Sequence, residues 1–396
     1  IEFPEFGDTR FRSRIEQGFA RADVQWAAHR DLELRTGVEA DRIVYANRAA
    51  SGGTVFRQGS ARSWLLGGYL QANWRPNSSW LVELGGRTDT WQGDRTELVA
   101  QPRIAVKHFV SPNAAVRLAA GRYGQFVHSI RDEELPVGID IWVTTGERAP
   151  RVTSDQVQSG LEVFRGDWYF TLDGYYRAFK GVVTNNLADD PNTPLDDLLA
   201  GDGSSYGADL LLRKDAGPVR GFVSVSWLKA ERSFPDPNRG IDPAPIVRYA
   251  PIFDRRLDLD LVLRTTLPRQ WELGARFNFG TGLPYTRPLG SFLYYEYHIV
   301  QRGRRLISDR PDSARSAILL SDRNAERYPA YHRLDLSLRK TLQKSWGQLT
   351  PHLDVLNVLN RKNVLFYFYE YDRDPPIRSG VSMFPLLPTI GLEVVF

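Results

Sequence analysis

The last eight residues of the chain, Thr389–Phe396, constrain the fold most. The apolar residues Ile390, Leu392, Val394 and Phe396 alternate there with their neighbours. A period of two residues predicts a β-strand with one apolar face. The sequence stops on the aromatic ring without a polar tail, and in a soluble protein such a strand would leave an edge free to pair with other chains. A closed barrel uses such a strand to complete its sheet. An ordinary core strand that happens to be last is the alternative interpretation.

Most of the remaining chain also has the alternation of β-strands, and no long window shows a helical period. We predict about fifteen strands in an all-β, antiparallel arrangement. They cover residues 13–28, 31–47, 63–74, 80–91, 98–109, 114–125, 154–164, 168–182, 205–214, 219–230, 254–266, 271–280, 332–342, 348–359 and 389–396. Alternation alone does not separate a barrel from a soluble sandwich, because both have one apolar and one polar face.

The lengths of the connections separate these two folds. Short connections fall at 29–30, 75–79, 110–113, 165–167, 215–218, 267–270 and 343–347, and long ones at 48–62, 92–97, 126–153, 183–204, 231–253, 281–331 and 360–388. Short and long connections alternate strictly. In an antiparallel sheet this places all tight turns on one rim and all long loops on the other, as in transmembrane barrels of bacterial outer membranes. The pattern therefore predicts an antiparallel transmembrane β-barrel.

Tryptophan placement gives independent support for a membrane barrel. Five of the ten tryptophans lie at short connections: Trp74, Trp80, Trp168, Trp271 and Trp346. Aromatic rings concentrate at the two membrane interfaces of such barrels. Trp91 and Trp227 lie near the opposite strand ends and predict a second aromatic girdle. The alternative is a general preference of tryptophan for strand ends.

Composition excludes several classes of protein. There is no cysteine, so thiol catalysis, cysteine-ligated zinc and disulfide frameworks are excluded. Basic and acidic residues nearly balance, 51 against 47, which gives no indication of nucleic acid as a partner. No run approaches the roughly 18 apolar residues of a transmembrane helix.

The strand count suggests that the chain is part of a larger barrel. Single-chain bacterial barrels usually have an even number of strands with both ends on the short-turn side. About fifteen strands is an odd number, and Ile1 would then begin on the long-loop side. We therefore expect further strands before residue 1, and residues 1–396 to form a partial barrel.

Four segments resemble TonB-dependent outer-membrane receptors. They are Asn278–Thr286 (NFGTGLPYT), Tyr328–Ser337 (YPAYHRLDLS), Leu353–Asn360 (LDVLNVLN) and the terminal strand. Each is weakly specific, but their order in one chain is fairly specific. Gly391, Val394 and the final Phe396 also resemble the signal read by the barrel assembly machinery of the outer membrane.

This resemblance implies a fold and a function. It implies the C-terminal part of a barrel of about 22 strands with a plugged lumen, with the plug domain, the TonB-contacting segment and the early strands absent. The expected function is capture of a scarce ligand at the long loops, followed by energy-coupled import across the outer membrane of a Gram-negative-type bacterium. Expected partners are outer-membrane lipid and lipopolysaccharide, the assembly machinery, TonB through the absent N-terminal region, and a small-molecule or nutrient ligand. A passive porin without a plug and, less favoured, an outer-membrane enzyme are the alternatives.

Candidate ligand-binding residues lie in the long connections. Residues 281–331 are rich in arginine, whose guanidinium groups suit phosphate and carboxylate. The last long loop concentrates aromatic residues, which often mark a binding surface. The candidates are Trp142, Arg302, Arg304, Arg305, Tyr367, Tyr369 and Tyr371. Arginine pairing with lipopolysaccharide phosphate or a nearby aspartate, and tyrosines that merely extend the strand, are the structural alternatives.

Charged residues on three neighbouring strands are predicted to share one polar face and to line the lumen. They are Arg256, Asp258, Asp260, Arg264, Glu272, Arg276, Arg333, Asp335 and Arg339. Opposite charges on such a wall can pair across strands. The six histidines are scattered, and neither a catalytic motif nor an ordered calcium loop is present. No enzymatic activity, metal or cofactor is therefore predicted.

Overall fold

The computed structural model describes residues 2–3, 9–51, 54–131, 140–147, 149–186, 198–235, 245–295, 299–302, 305–308, 314–370 and 377–396. These residues form mainly β-strands, with one large antiparallel sheet of eighteen members. Three members are short: Glu2–Phe3, Ile246–Tyr249 and Leu342–Lys344. The other fifteen are long, which confirms the predicted all-β antiparallel fold and its strand number.

The long strands are numbered here in chain order. They are β1 Thr9–His29, β2 Leu32–Ser51, β3 Thr54–Asn77, β4 Trp80–Gln92, β5 Thr96–Ser111, β6 Ala114–Gln125, β7 Val152–Arg165, β8 Trp168–Asn185, β9 Leu198–Lys214, β10 Val219–Pro235, β11 Leu257–Leu267, β12 Trp271–Gly280, β13 Tyr331–Lys340, β14 Gly347–Leu356 and β15 Leu387–Val395. Each pairs antiparallel with the next along the chain. Among the described residues no pairing joins β15 to β1, so the sheet has two open edges.

The register gives the sheet one polar and one apolar face. Asp260, Asn278 and Arg333 are directly opposed across β11, β12 and β13. One residue further along, apolar side chains oppose each other in the same way. On the apolar face, leucines remain about half exposed: 59% for Leu70 and 48% for Leu84. Exposed apolar surface of this extent suits contact with lipid rather than water.

The short connections all lie on one rim and are bonded to each other through the backbone. The Arg75 N–H donates to the Asp31 carbonyl at 2.8 Å, and the Asp215 N–H donates to the Asp167 carbonyl at 3.0 Å. One of these turns contains a short 3-10 segment, Pro268–Gln270, in which Arg269 has a φ of 62°. No helix among the described residues is long and apolar enough to span a membrane.

The long connections carry hairpins of their own. Their paired strands are Val127–Arg131 with Asp140–Thr144, Pro284–Tyr285 with Glu326–Arg327, Pro288–Tyr295 with Ala314–Leu320, Ile299–Arg302 with Arg305–Ser308, and Val364–Glu370 with Ile377–Ser382. The largest differences from the predicted strand starts are at two barrel strands, β3, which begins at Thr54, and β9, which begins at Leu198. Glycine and serine interrupt the alternation in both extensions, but the neighbouring long strands supply partners for their backbone.

The tryptophans separate into two groups. At the short-turn rim Trp74, Trp80 and Trp168 are exposed, as an interfacial girdle requires. The assignment of Trp91 to a second girdle is wrong, because Trp91 is fully buried. Its indole Nε1 donates to the Thr145 carbonyl at 3.1 Å, and its ring stacks on Phe126 at 5.2 Å between centroids. Trp91 therefore packs a long connection against the polar face of the sheet.

Candidate functional site

Four tyrosines converge at the long-loop rim. Tyr367 and Tyr369 alternate along the last loop hairpin, so both lie on one of its faces. Tyr285 lies in the two-residue ladder that begins the connection between β12 and β13, and Tyr328 follows the partner strand of that ladder. Two separate long connections, 281–330 and 357–386, thus contribute to one cluster. We refer to these four residues as the tyrosine cluster.

The rings of the cluster stack. Tyr285 and Tyr328 have centroids 4.4 Å apart and planes inclined by 24°. Tyr328 and Tyr367 follow at 5.4 Å and 27°. Tyr367 meets Tyr369 edge to face at 6.5 Å. Aromatic pairs in this range of separation attract one another beyond the burial of their area, so the two connections stabilise each other through these contacts.

One cation covers the cluster. The guanidinium carbon of the exposed Arg378 lies 4.4 Å from the centroid of Tyr367, a cation–π contact. Burial, together with a hydrogen bond to Tyr285, raises the pKa of Tyr369 above its usual value. Burial also raises the pKa of Tyr328. Both shifts keep the phenols of Tyr369 and Tyr328 in the neutral form, and Arg378 gives the cluster a positive charge beside hydroxyl groups and an aromatic surface.

A buried carboxylate holds the ladder that carries Tyr285. Asp254 has no exposed surface and accepts the Ala230 N–H at 2.7 Å. It pairs with Arg256 at 2.9 Å and with Nη2 of Arg327. Arg327 also donates to the carbonyls of Asp254, at 2.7 Å, and of Gly282, at 3.0 Å. The entry to β11 and the connection after β12 are thereby joined next to the tyrosine cluster.

Arg323 makes a second connection between long loops. Its guanidinium donates to the Thr184 hydroxyl at 3.0 Å, the Asn185 carbonyl at 3.1 Å and the Tyr249 hydroxyl at 3.3 Å. These partners belong to the end of β8 and to the short strand after β10. Arg323 and Arg327 are thus among the arginines of the 281–331 connection that the structure assigns to holding loops together.

Asparagines fix the other side of the cluster. Asn357 is almost fully buried in a left-handed conformation, φ 52°, which asparagine tolerates better than most residues. Its Nδ2 donates to the carbonyls of Arg361 and Phe384, each at 3.0 Å. Asn363 donates to the His332 carbonyl and accepts the His332 N–H. The connection that carries Tyr367 therefore leaves the barrel in one defined direction.

Trp142 belongs to a different part of the same rim. Its carbonyl accepts a 2.6 Å hydrogen bond from Nδ2 of Asn47 on β2. Its hairpin, Val127–Arg131 with Asp140–Thr144, also packs Ile130 against Val183 and Leu198. The hairpin thus contacts the sheet at β2 and at β8–β9. Trp142 has no ring contact with the tyrosine cluster within the described part of the chain.

The structure describes only some of the other predicted loop residues. Arg302 and Arg305 pair through their backbones at the end of a small hairpin. Arg304 and Tyr371 lie outside the described residues. The described residues contain no group of three or more histidines, aspartates or glutamates arranged to hold a metal ion. The tyrosine cluster is therefore the best-defined candidate site.

The predicted lumen residues share a face in the structure. Register places on the polar face Asp258, Asp260, Arg264, Glu272, Arg276, Arg333, Asp335 and Arg339. Arg276 lies 3.7 Å from Asp260, and Arg333 lies 2.7 Å from Asp335. Arg256 precedes β11 and joins the Asp254 group. That this face lines the lumen stays a prediction.

A charged cluster that the sequence analysis missed lies on the same face at β5–β8. Lys107 pairs with Glu162 at 2.9 Å, and Arg117 pairs with Asp173 at 2.8 Å. Lys107, Arg117 and Asp173 line a cavity of about 180 Å³. In the sequence, each of these residues is one charge within an alternating strand and does not indicate a cluster. Only the register across four strands brings them together.

The terminal residues predicted as an assembly signal lie on β15. Gly391 is opposed to His352, and a side chain at Gly391 would meet that imidazole. Val394 is opposed to Leu349. Phe396 is 95% exposed, and its ring lies 5.8 Å from that of Trp346 at the short-turn rim. Recognition of these residues by assembly machinery stays a prediction.

Comparison with known proteins places the chain in a family. The family model described as TonB dependent receptor-like, beta-barrel matches residues 5–360. No curated protein matches the sequence. Three solved structures share the fold: the iron transporter FrpB of Neisseria meningitidis (12% identity, TM-score 0.58, 96% of this chain and 54% of that chain), the ferric yersiniabactin uptake receptor FyuA of Yersinia pestis (10%, 0.60, 97% and 54%), and the pyoverdine receptor FpvA of Pseudomonas aeruginosa (11%, 0.62, 98% and 54%).

The chain spans about half of the length of each of these structures. At such low identity the likeness concerns the fold. The family is shown by the family model, which covers most of the chain and agrees with the resemblance of the four sequence segments. The chain belongs to the TonB dependent receptor-like β-barrel family.

Proposed function

We propose that this chain forms the larger part of the barrel of an outer-membrane receptor in a Gram-negative bacterium. The receptor captures a scarce ligand at the long-loop rim and imports it by energy-coupled transport. Its family, its exposed apolar face and its segregated loops support this function. Energy coupling would act through TonB and an N-terminal region outside the residues of this chain. Membrane insertion would use the assembly machinery acting on β15.

The ligand class that fits best is a ferric chelate with aromatic or otherwise planar anionic groups. The solved structures that share the fold include a pyoverdine receptor bound to pyoverdine and a ferric yersiniabactin uptake receptor. In this chain, a stack of tyrosines offers ring surface and hydroxyl groups, and Arg378 adds one positive charge. Rings stack on rings, and guanidinium groups pair with anionic oxygens.

The convergence of the tyrosine cluster carries this proposal. Two long connections, more than thirty residues apart at their nearest tyrosines, meet in one stack under one exposed cation. Both connections are held from outside the cluster, through Asp254 and through Asn357. A rigid scaffold that presents aromatic loop residues is typical of binding sites.

Uptake of iron chelates tests the function. Full-length receptor is produced in a bacterium that lacks its own chelate receptors, and cells are supplied with radioactive iron as catecholate, hydroxamate or citrate complexes. We expect saturable uptake of one of these classes, abolished by a protonophore or by loss of TonB. Uptake that persists without energy would show a passive channel, and absence of uptake for all three classes would contradict the ferric-chelate proposal.

Matched variants test the site. Replacing Tyr367 by alanine removes a central ring, and Arg378→Gln removes the charge. Each is expected to weaken chelate binding by about tenfold. Phe368→Ala is the control, because Phe368 lies on the opposite face of the same strand and contacts Phe366 instead. Binding is measured on purified receptor by quenching of tryptophan fluorescence. Equal losses in Tyr367→Ala and Phe368→Ala would contradict the assignment of the site.

A further inference from the structure

Two lysine–tryptophan pairs occupy equivalent places at the short-turn rim. The Lys340 ammonium lies 5.5 Å from the ring centroid of Trp271, and the Lys214 ammonium lies 5.3 Å from that of Trp168. In each case the two residues are directly opposed across neighbouring strands. Both distances are within the range of cation–π contacts. The same arrangement therefore occurs twice in the sheet.

Both pairs mark the end of the apolar face. Trp271 is the first residue of β12 and Lys340 is the last of β13. The next opposed pair on that face is Leu273 with Leu338. At the other site, Phe170 with Leu212 follows the pair of Trp168 and Lys214. Each ammonium thus lies at the border between the lipid-contacting surface and the turns, the height at which tryptophan and lysine meet lipid headgroups.

The charge around Lys340 is uniformly basic. Segments 267–271 and 340–347 contain Arg269, Lys340 and Lys344 and no acidic residue, a formal charge of +3. Arg269 and Lys344 are exposed. Glu272 is the next residue of β12, but it lies on the polar face opposite Arg339. A divalent or monovalent anion at this place would meet cations from two adjoining turns.

Neither ammonium forms an ion pair with a carboxylate of the described residues. Asp215, which follows Lys214, is paired with Arg213 at 2.9 Å. A lysine ammonium has three N–H donors, and the indole face occupies one side of it. The remaining donors need acceptors at the membrane border, where lipid phosphate oxygens are the abundant ones.

We propose that Lys340 and Trp271, with Arg269 and Lys344, form a binding site for the headgroup of an anionic glycerophospholipid in the leaflet next to the short turns. The phosphate contacts the ammonium and guanidinium groups, and the indole packs on the glycerol region. Lys214 and Trp168 form a second, less basic site of the same kind. This inference rests on the membrane-spanning barrel and not on the identity of any imported ligand.

Native mass spectrometry of the full-length receptor tests the proposal. Receptor in detergent is mixed with phosphatidylglycerol and phosphatidylethanolamine of identical acyl chains, and the lipid molecules retained are counted. We expect phosphatidylglycerol to be preferred. The double variant Lys340→Gln, Lys344→Gln should lose roughly fivefold or more of that preference, since each lysine near a membrane surface contributes to anionic-lipid attraction. Lys340→Arg should retain it.

The control variant is Lys362→Gln. Lys362 is an exposed lysine in the connection after β14, at the long-loop rim. The substitution changes the net charge of the protein without touching the proposed site, so the lipid preference of this variant should equal that of the unchanged receptor. Inorganic phosphate at millimolar concentration should not displace the lipid, because it lacks the glycerol and acyl groups.

Three outcomes would overturn the proposal. The first is equal retention of the two lipids by the unchanged receptor. The second is an unchanged preference in the lysine double variant whose circular dichroism shows an intact barrel. The third is an equal loss in Lys362→Gln, which would show a general effect of charge. None of these outcomes bears on iron uptake, so failure here and failure of the proposed function are distinguishable.

Discussion

The two rims of the barrel are built by different kinds of contact. At the short-turn rim, the bonds between neighbouring turns are made by the backbone, and side-chain bonds stay within a turn: the Ser79 N–H donates to Oδ1 of Asn77 at 2.9 Å, two residues away. At the long-loop rim, bonds join distant parts of the chain. Arg323 reaches Thr184, 139 residues earlier, and Asn47 reaches Trp142, 95 residues later. One rim is closed by tight turns and the backbone bonds between them, whereas the other is held by side-chain contacts between distant segments.

This difference explains where the candidate site lies. A tight turn has little choice of conformation and offers little surface. Long connections need side-chain contacts to adopt one arrangement, because ordering a loop costs conformational entropy. Asp254, Asn357 and Arg323 supply such contacts around the tyrosine cluster. The long-loop rim therefore offers a larger surface than the tight turns do, in a fixed geometry, as ligand binding requires.

Removing Asp254 should give the largest effect. Asp254→Ala removes the fully buried carboxylate that Arg256 and Arg327 share. Because both arginine side chains are about one third exposed, the cost should not exceed the roughly 3–5 kcal/mol of breaking a buried ion pair. We expect faster hydrogen exchange in the ladder of Tyr285 and in the entry to β11, with the barrel strands unchanged. Hydrogen exchange with mass spectrometry on the receptor in detergent measures this.

Asp215→Ala is the matched change at the other rim. Asp215 pairs with Arg213, but both side chains are exposed, and exposed ion pairs contribute at most about 1 kcal/mol. Exchange near the turn 215–218 should barely change. If the two variants had equal effects, the long-loop rim would not depend on buried inter-loop contacts, and the contrast between the rims would be wrong.

The fold followed from local sequence properties. A two-residue period identifies a strand from the residues of that strand alone, and the length of a connection identifies the rim on which it lies. Neither prediction needs to know which strands are paired. Trp91 is the exception. Its position near a strand end suggested an aromatic girdle, but alternation puts it on the face of Arg87 and Asp89. The two-residue period predicts the environment of Trp91 better than its position near the strand end does.

The candidate site was only half predictable. Composition pointed to Tyr367 and Tyr369, because they are crowded in one loop. Tyr285 and Tyr328 were missed as site residues, although both lie in segments that carried the family resemblance. Their stacking depends on how two loops lie against each other. The residue pattern of one sequence does not contain that information. Arg378 was missed for the same reason, since it reaches Tyr367 only through the pairing of the loop hairpin.

Acidification should loosen one part of the long-loop rim. His128 is buried in the hairpin of Trp142, and burial lowers its pKa from 6.5 to about 4. The folded hairpin thus favours the neutral imidazole. The folded hairpin has its full stability above pH 6.5. As the pH falls toward 4, protonation of His128 in the unfolded state lowers the free energy of unfolding by on the order of 3 kcal/mol. Protection factors of residues 127–131 and 140–144, which are hydrogen-exchange rates corrected for the intrinsic effect of pH, should be lower at pH 5 than at pH 7.

Two variants sharpen this test. His128→Phe keeps a ring in the buried place without a titrating group, so the protection factors of the hairpin should no longer depend on pH between 5 and 7. His29→Gln changes an exposed histidine at the short-turn rim and should leave that dependence intact. Persistence of the pH effect in His128→Phe would assign it to another group.

The smallest effect is expected at Trp80. Trp80 is 39% exposed at the short-turn rim and stacks on His108 at 4.1 Å, so Trp80→Phe keeps most of the stacked area and should cost less than about 1 kcal/mol. Trp91→Phe removes the buried hydrogen bond to Thr145 and should cost about 1–3 kcal/mol. Urea unfolding from lipid vesicles compares the two. Equal costs would mean that an indole at the membrane border is held as firmly as one buried between loops, and the rims would then differ in connectivity but not in the strength of their contacts.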